Sequence, residues 1–326
     1  MAIAALSPIT PPDISVIPAV IAGIFPFMIL AMIGLVIIWF FLDWKWMLVP
    51  LVTLLLFWNP ISKFWTFNSN TNDTTETIKL GTFNLYGLKK IKQSRDSALL
   101  LQLKSSLKTP QLDVICFQES NGFSNKLLEQ LLDYDYKYQY LNSGVKIVSQ
   151  YNIEDKGSFD FNSTVNSCIW ADIRIKDNRV RVYCAHLQSN KVSSSASALM
   201  ESGNLAEKNT WRGMHNIVGR YKTASKIRQE QSNRIKTHAM QSESPVIICG
   251  DLNDHPLSYP VAQFAENWND SFVQKGFGWG TTYGGSIPML RIDYIMVDSN
   301  FRVINHHIEP NPYSDHHFVY AGIEVK

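Results

Sequence analysis

Between Asp13 and Asp43 the chain carries no charged residue. Ile, Leu, Val, Ala, Phe and Met fill nearly every position of that run. A hydrocarbon core about 30 Å thick takes about 20 helical residues to cross. The run therefore predicts a transmembrane helix over Ala19 to Leu42. Pro18 would mark its start and Pro26 a kink. Trp39 and Trp44 would then fall at the membrane interface, where indoles settle. A soluble core helix of this length would carry a polar face, and this one has none. A cleaved signal peptide has basic residues ahead of an apolar stretch of about 7–15 residues. No Lys or Arg precedes this run.

A second uncharged run, Trp46 to Trp58, follows Asp43-Trp44-Lys45 and contains Pro50. It reads as a short second span with snorkelling ends, or as a helix lying in the interface. Of the two, a two-span hairpin is the expectation. A hairpin leaves both its ends on one side. Lys45, partly offset by Asp43, is the only Lys in the turn, and it argues for a cytoplasmic turn. The catalytic part would then be extracytoplasmic, which in a bacterium means periplasmic. Residues 1–65 are thus expected to form an integral membrane anchor, and the polar tract 66–77 a linker.

The remaining residues, 78–326, are expected to fold as one soluble domain. Removing 1–65 takes away Lys45, Lys63, Asp13 and Asp43, so the net charge of +2 is unchanged. That balance selects neither for nor against a nucleic-acid partner. The chain is 45% hydrophobic and only 18% charged, which excludes a disordered chain. Cys116, Cys168, Cys184 and Cys249 fall in or beside predicted strands, with no CxxC pair, and read as small core hydrophobes. Strand-like segments cover 78–85, 113–118, 145–149, 168–175, 180–186, 246–249, 291–297 and 318–325. Helical segments cover 91–107 and 125–132, and much of 192–244 reads as Ser-rich and then basic and helical. Hairpins mixed with helical crossovers predict an α+β fold, with sheets packed face to face and helices outside.

Chemistry-bearing residues collect at strand ends. Asn84 ends TFNL, Glu119 follows VICFQ, and His186 follows VYCA. Asp251 and Asn253 follow VIICG, Asp293 lies in RIDYIMV, and Asp315-His316 precede HFVYAGIEV. Any one alone is a common turn former or helix cap. Together they supply oxygen donors of the kind a hard divalent ion such as Mg²⁺ binds, plus imidazoles for proton and phosphate work. A serine hydrolase would need a G-x-S-x-G elbow, and a zinc peptidase an HExxH; neither is present. His255 follows GDLND and reads as a loop histidine, or as one that reaches substrate. Trp279, Tyr283 and Met289 read as a substrate rim or as turn anchors. Seven Lys or Arg against Glu230 between Trp211 and His238 give either a solvated helix face or an anion-binding one.

The ordered set NLY, QES, HLQS, GDLND, RIDYI and SDHH resembles the endonuclease/exonuclease/phosphatase superfamily, over about residues 78–326. The resemblance implies a four-layer α/β sandwich: two packed mixed or antiparallel sheets flanked by helices. In this chain a transmembrane helical hairpin would precede it. The resemblance also implies a Mg²⁺-dependent phosphoric ester hydrolase, with Mn²⁺ as a substitute ion. Glu119, Asn84 and Asp315 would form the metal site. Asp251 would activate the attacking water and Asn253 would hold it or a phosphate oxygen. His316, backed by Asp293, would contact the phosphate, with His186 on the other side. Phe318 stands where many relatives have Pro, a local packing change. The expected partners are a phosphate-ester substrate, either nucleic acid or lipid headgroup, and the bilayer; no obligate protein partner is expected. The expected function is a phosphodiesterase of endonuclease/exonuclease type; the alternative is a phospholipid or small-molecule phosphatase, and the third reading is an inactive tethered binding domain.

Overall fold

The computed structural model describes residues 1–74, 76–94, 97–122, 125–132, 138–142, 144–163, 166–190 and 208–326. The strands, in chain order, are β1 (Trp65–Phe67), β2 (Ile78–Asn84), β3 (Val114–Gln118), β4 (Tyr138–Asn142), β5 (Val145–Ser149), β6 (Ile153–Phe159) and β7 (Ser167–Ile175). They continue as β8 (Asn178–His186), β9 (Val246–Asp251), β10 (Asn269–Asp270), β11 (Phe277–Trp279), β12 (Asp293–Val297), β13 (Phe301–Glu309) and β14 (Phe318–Val325). One six-stranded sheet runs β13-β14-β2-β3-β5-β4, and the other β10-β12-β9-β8-β7-β6. Each is mainly antiparallel, with one parallel pair, β2 with β3 and β8 with β9.

A parallel pair needs a long crossover, and both crossovers are helical. The first contains helices Lys89–Ser94 and Ser97–Lys108, the second the long helix Lys208–Ala239. Every residue of β3 and β5 is buried, as strands covered on both faces must be. Leu80, Val114, Ile147, Ile169, Val182, Ile247, Ile295 and Val319 fill the space between the sheets. Leu103 and Leu107 cover the outer face of the first sheet. Ile235, Ala239, Val261 and Phe264 cover that of the second. The expected four-layer sandwich is therefore the observed fold, and the four cysteines are buried and free.

The sequence expectation departs from the structure in identifiable places. The helix expected over 91–107 is described as Lys89–Ser94 and Ser97–Lys108, with residues 95–96 outside the described residues. Strands β4, β6 and β13 were not anticipated; β6 and β13 interleave polar and charged residues that hide the alternation. Most of the Ser-rich tract, 191–207, lies outside the described residues.

The N-terminal region also differs. The membrane-length helix is Phe25–Leu42, with a mean hydropathy of 2.6 and 17% of it buried. Residues Ile17–Ala22 form a separate short helix, and Ala19 and Ala22 are buried. Pro26 lies in the first turn of Phe25–Leu42, where its missing N–H costs nothing, so it starts the helix rather than kinking it. The return helix Trp44–Leu56 packs antiparallel to the first, with Trp39 and Trp46 rings 6.3 Å apart. At about 1.5 Å per residue it is roughly 20 Å long, too short to cross alone. Among the described residues there is thus one candidate span, where two were expected. The tract after it is tied to the domain. β1 pairs with β11, Asn68 Nδ2 donates to the Val273 carbonyl, and Thr71 binds Ile304 through both backbone and hydroxyl.

One backbone approach fixes the second sheet at its functional end. Gly250 has φ +144°, and a Cβ there would lie 1.9 Å from the Ala185 carbonyl oxygen on β8. Backbone cannot yield to such a clash, and L side chains avoid that φ. Gly250→Ala is expected to destabilise the protein by about 3 kcal/mol or more. Thermal or urea unfolding would measure it, and a loss under about 1 kcal/mol would contradict the close approach.

Candidate active site

The two sheets carry their polar strand ends to one edge of the sandwich. β2 and β3 end there at Asn84 and Gln118, with Glu119 next; β8 and β9 end there at His186 and Asp251. β12 starts there at Asp293, directly opposite Asp251 across the antiparallel pair. The turn before β14 delivers Asp315 and His316. Tyr86, Glu119 and Asn253 all have φ near +50°, a conformation that costs a non-glycine residue energy. Three such residues clustered at one edge mark turns held by their surroundings.

Asp251 Oδ2 is the hub. Asn84 Nδ2 donates to it at 3.0 Å, His186 Nε2 lies 3.7 Å away, and His316 Nε2 lies 3.8 Å away. Asp251 Oδ1 accepts the Asn253 backbone N–H at 2.8 Å. Glu119 Oε1 is 3.4 Å from Asn84 Nδ2 and 3.9 Å from His186 Nε2. His316 Nδ1 sits 3.0 Å from Asp293 Oδ2 and 3.2 Å from Oδ1. Six of the eight residues singled out from sequence are therefore in mutual contact. Asp315 stands beside them, and the charges of Glu119, His316 and Lys90 act on its carboxyl. Asn253 joins through its backbone, while its side-chain nitrogen donates to the Leu187 carbonyl at 3.0 Å.

The electrostatics follow from burial. Asp251 is pushed up to about 7, first by burial and then by the Asp293 charge, against the pull of His316 and two N–H donors. A carboxyl near neutrality can take a proton from water. Burial works against charging His316, but the Asp293 and Asp251 carboxylates outweigh it and raise the imidazole to about 10. His316 is then an imidazolium at neutral pH. Asp251, Asp293 and His316 each place one ligand atom within 4.8 Å of the others, a spacing that also suits a metal. An imidazolium has no lone pair to give, so this trio reads as a proton-handling and charge-stabilising group.

The donor set for an ion lies on the other side of Asn84. Glu119 and Asp315 offer carboxylate oxygens, the hard ligands that Mg²⁺ takes while keeping several waters. Asp315 Oδ1 is buried with no hydrogen-bond partner among the described residues, and burial raises its pKa. A bound cation would satisfy that oxygen. The residues therefore fit a divalent ion. Asn84 points its amide nitrogen at Glu119 and Asp251, while its Oδ1 accepts the Tyr86 N–H at 3.0 Å.

Three supporting residues went unassigned in the sequence. Ser314 Oγ donates to the Asn84 carbonyl at 2.7 Å and accepts the His316 N–H at 3.1 Å, tying the β2 and β14 ends together. Its place within SDHH was the available signal. Lys90 Nζ donates to the Ser314 carbonyl at 2.6 Å. Arg291 is buried and bonds Asp270 and the Lys63 carbonyl, two residues ahead of Asp293. His255 is a buried loop residue whose Nε2 lies 2.9 Å from the Ala19 carbonyl. Of the rim candidates, Tyr283 packs edge-on against His316 at 5.4 Å, and Trp279 stacks on Trp65 at 5.3 Å. The basic helix is not a uniform cationic face. Arg228 is fully buried on Asp254, Lys236 pairs with Glu266, and Lys226 pairs with Asp13.

Fold and site together define a phosphoesterase-type sandwich with an acid–imidazole cluster at one edge. A family model described as the endonuclease/exonuclease/phosphatase family matches residues 81–316, most of the chain, and the chain belongs to that family of metal-dependent phosphoric ester hydrolases. A second model, described as a domain of unknown function, matches residues 1–64. No curated protein sequence matches. The fold is similar to that of an endonuclease/exonuclease/phosphatase from Bacteroides vulgatus, at TM-score 0.56 and 16% identity, covering 77% of this chain and 99% of that one. It is similar to D. rerio TDP2 complexed with single strand DNA product, at TM-score 0.54 and 15% identity, covering 76% and 99%. It is also similar to a Bacteroides thetaiotaomicron mannosyl-6-phosphatase, at TM-score 0.54 and 14% identity, covering 76% and 99%. At these identities the likeness concerns the fold.

The charge state of His316 is open to direct test in the ion-free protein. By histidine-labelled NMR, His316 is expected to stay protonated above pH 8, because its pKa is raised by Asp293 and Asp251. Asp293→Asn removes the main raising charge and should lower that pKa by more than one unit. Titration of wild-type His316 at its ordinary value near 6.5 would contradict the assignment.

Proposed function

We propose that this chain is a membrane-anchored, Mg²⁺-dependent hydrolase of phosphate esters, chiefly diesters, acting by in-line attack of water. The observation that carries the reading is the convergence of Asn84, His186 and His316 on one Asp251 carboxylate oxygen, with Glu119 beside Asn84 and His186 and Asp293 behind His316. Glu119, Asp315 and Asn84 would form the metal site, with the Asn84 amide also bridging Glu119 and Asp251. Mn²⁺ has the same ligand preferences and is the expected substitute. When bound, the ion supplies Lewis-acid polarisation of a phosphoryl oxygen and stabilises the leaving oxyanion.

The protein's own groups do the rest. Asp251 takes the proton of the attacking water, its carboxyl held near neutrality for that purpose. Asn253 holds that water or a phosphate oxygen. His316, kept charged by Asp293, faces the developing negative charge on phosphorus-bound oxygen. His186 contacts the phosphate from the opposite side. No side chain is required as a nucleophile.

In the same reading residues 1–65 are the anchor, 66–77 link it, and 78–326 are the catalytic domain, placed outside the cytoplasm. The Phe25–Leu42 helix, almost uncovered by protein, supports the anchor. Nucleic acid and lipid headgroups are both phosphate esters within reach of this chemistry.

Two measurements test this. On bis-p-nitrophenyl phosphate, the full chain should turn over with Mg²⁺ and stop with a chelator, and Glu119→Ala should lose at least about 100-fold. Turnover that survives both the chelator and the substitution would overturn the mechanism. For the anchor, the full chain should stay with membranes through alkaline carbonate. Leu35→Arg, which puts a charge costing about 3 kcal/mol near mid-helix, should weaken retention. Quantitative release of the wild type would remove the anchor.

A further inference from the structure

The anchor and the site touch at two places, one for each leg of the hairpin. On the entering leg, the Ala19 carbonyl meets His255, four residues beyond Asp251. On the leaving leg, the Lys63 carbonyl accepts from Arg291, two residues before Asp293. The legs themselves meet at Phe25 and Phe64, whose rings stack at 5.6 Å. Leu257, in the loop beyond Asp251, is buried in the same cluster as Ala22, Phe25, Ile29 and Ile61. The two opposed catalytic carboxylates are thus wired through short loops to both ends of the apolar hairpin. Ala19 lies six residues before the first residue of the span.

The outer surface around this junction is apolar. Ile9, Ile14, Ile17 and Ile24 are exposed, while Ala4, Ser7, Ala19 and Ala22 turn inward. The single charged side chain of residues 1–42, Asp13, pairs with Lys226 and accepts from Gln229 of the long helix. The β1–β11 ribbon adds Phe67 and Phe277, the latter 75% exposed. The ribbon joins the hairpin through Trp65 and Trp279, which pack against the cluster that holds Phe25 and Ile29 at the start of the helix Phe25–Leu42. Lipid is the one occupant that covers both, because a helix of that length and hydropathy sets the bilayer beside it. The ribbon also leads straight into the site: the segment after β11 pairs Tyr283 with His316 and donates the Gly284 N–H to the Asp315 carbonyl.

We propose that the catalytic edge faces the bilayer and that the substrate is the phosphate ester of a lipid headgroup in the leaflet that holds the anchor. The inference rests on the phosphoesterase reading above and adds the substrate class and its direction of approach. A headgroup phosphate lies at the depth of the anchor's interfacial residues, so the two wired loops present the site at that level. Water attacks phosphorus, one P–O ester bond breaks, and the displaced alkoxide leaves protonated. One product stays in the membrane and the other carries away the headgroup side of the bond.

The test uses the full chain in vesicles of phosphatidylethanolamine, phosphatidylglycerol and sphingomyelin. All four native cysteines are buried, so single surface cysteines can be labelled selectively. Nitroxides at Ile14→Cys and Phe277→Cys should lie in the headgroup–acyl boundary by paramagnetic depth measurement. One at Val325→Cys, at the opposite end of β14, should remain in water. Mg²⁺-dependent release of water-soluble product from the vesicles should exceed duplex DNA hydrolysis at least tenfold, with Glu119→Ala as the blank. Aqueous labels at residues 14 and 277 would overturn the inference. So would turnover of bis-p-nitrophenyl phosphate with no product from vesicles, or faster cleavage of DNA; both leave the phosphoesterase reading standing. No turnover of any phosphate ester would instead overturn the phosphoesterase reading itself.

Discussion

Two carboxylates, Asp251 and Asp293, face each other across β9 and β12 with almost no solvent contact. Like charges placed directly opposite in a sheet repel, and burial multiplies the cost. The structure answers with one imidazolium shared between them: His316 bonds Asp293 and reaches toward Asp251. Asn84 and the Asn253 backbone supply the remaining donors to Asp251. Every other feature of the edge serves this arrangement. Ser314 sets the height of His316, Tyr294 donates its hydroxyl to the Asp254 and Arg291 carbonyls, and Gly250 lets β9 close onto β8. The two carboxylates are held by sheet strands and the imidazolium by a turn that hydrogen bonds pin to β2, which is the preorganisation that a site stabilising a transition state needs.

The sandwich explains why residues so far apart in the chain meet. Each sheet contains one parallel pair, so β2 with β3, and β8 with β9, end at the same edge. The antiparallel neighbours β12 and β14 begin there. Face-to-face packing then brings the Asn84 and Glu119 pair of one sheet against the His186, Asp251 and Asp293 group of the other. Arg228 extends the same logic outward. Buried on Asp254, and bonded to the Gln188 carbonyl and to Asn190, it fixes the loop beyond Asn253 to the loop beyond His186. A helix read from sequence as a basic face is therefore partly a strut.

Much of this was legible because strands buried on both faces, such as VICFQ and VIICG, declare themselves by continuous apolar runs. A polar residue at the end of such a run has few reasons to be there, and six of these proved to be neighbours. What stayed hidden was decided by tertiary contact. β13 carries Arg302, Asn305, His306 and His307, and its burial comes from partners distant in sequence, in β14 and at Ser271. The uncharged run from Ile14 gives no sign that Ala19, Ala22, Phe25 and Ile29 would dock on a folded domain while most of the helix beyond them would not. The tract after Trp65 looks like a tether because its anchors are hydrogen bonds, which composition does not display. The side-chain direction of Asn84 was equally invisible, since either end of an amide can meet a cation or a carboxylate.

The central claim is that Glu119 and its neighbours hold one divalent cation beside the Asp251–Asp293–His316 group. Calorimetric titration of the purified full chain with Mn²⁺ measures this without any substrate. One tight site per chain is expected, abolished in Glu119→Ala and kept in Asp293→Asn. No saturable binding, or binding indifferent to Glu119 and lost with Asp293, would place the ion elsewhere and contradict the account.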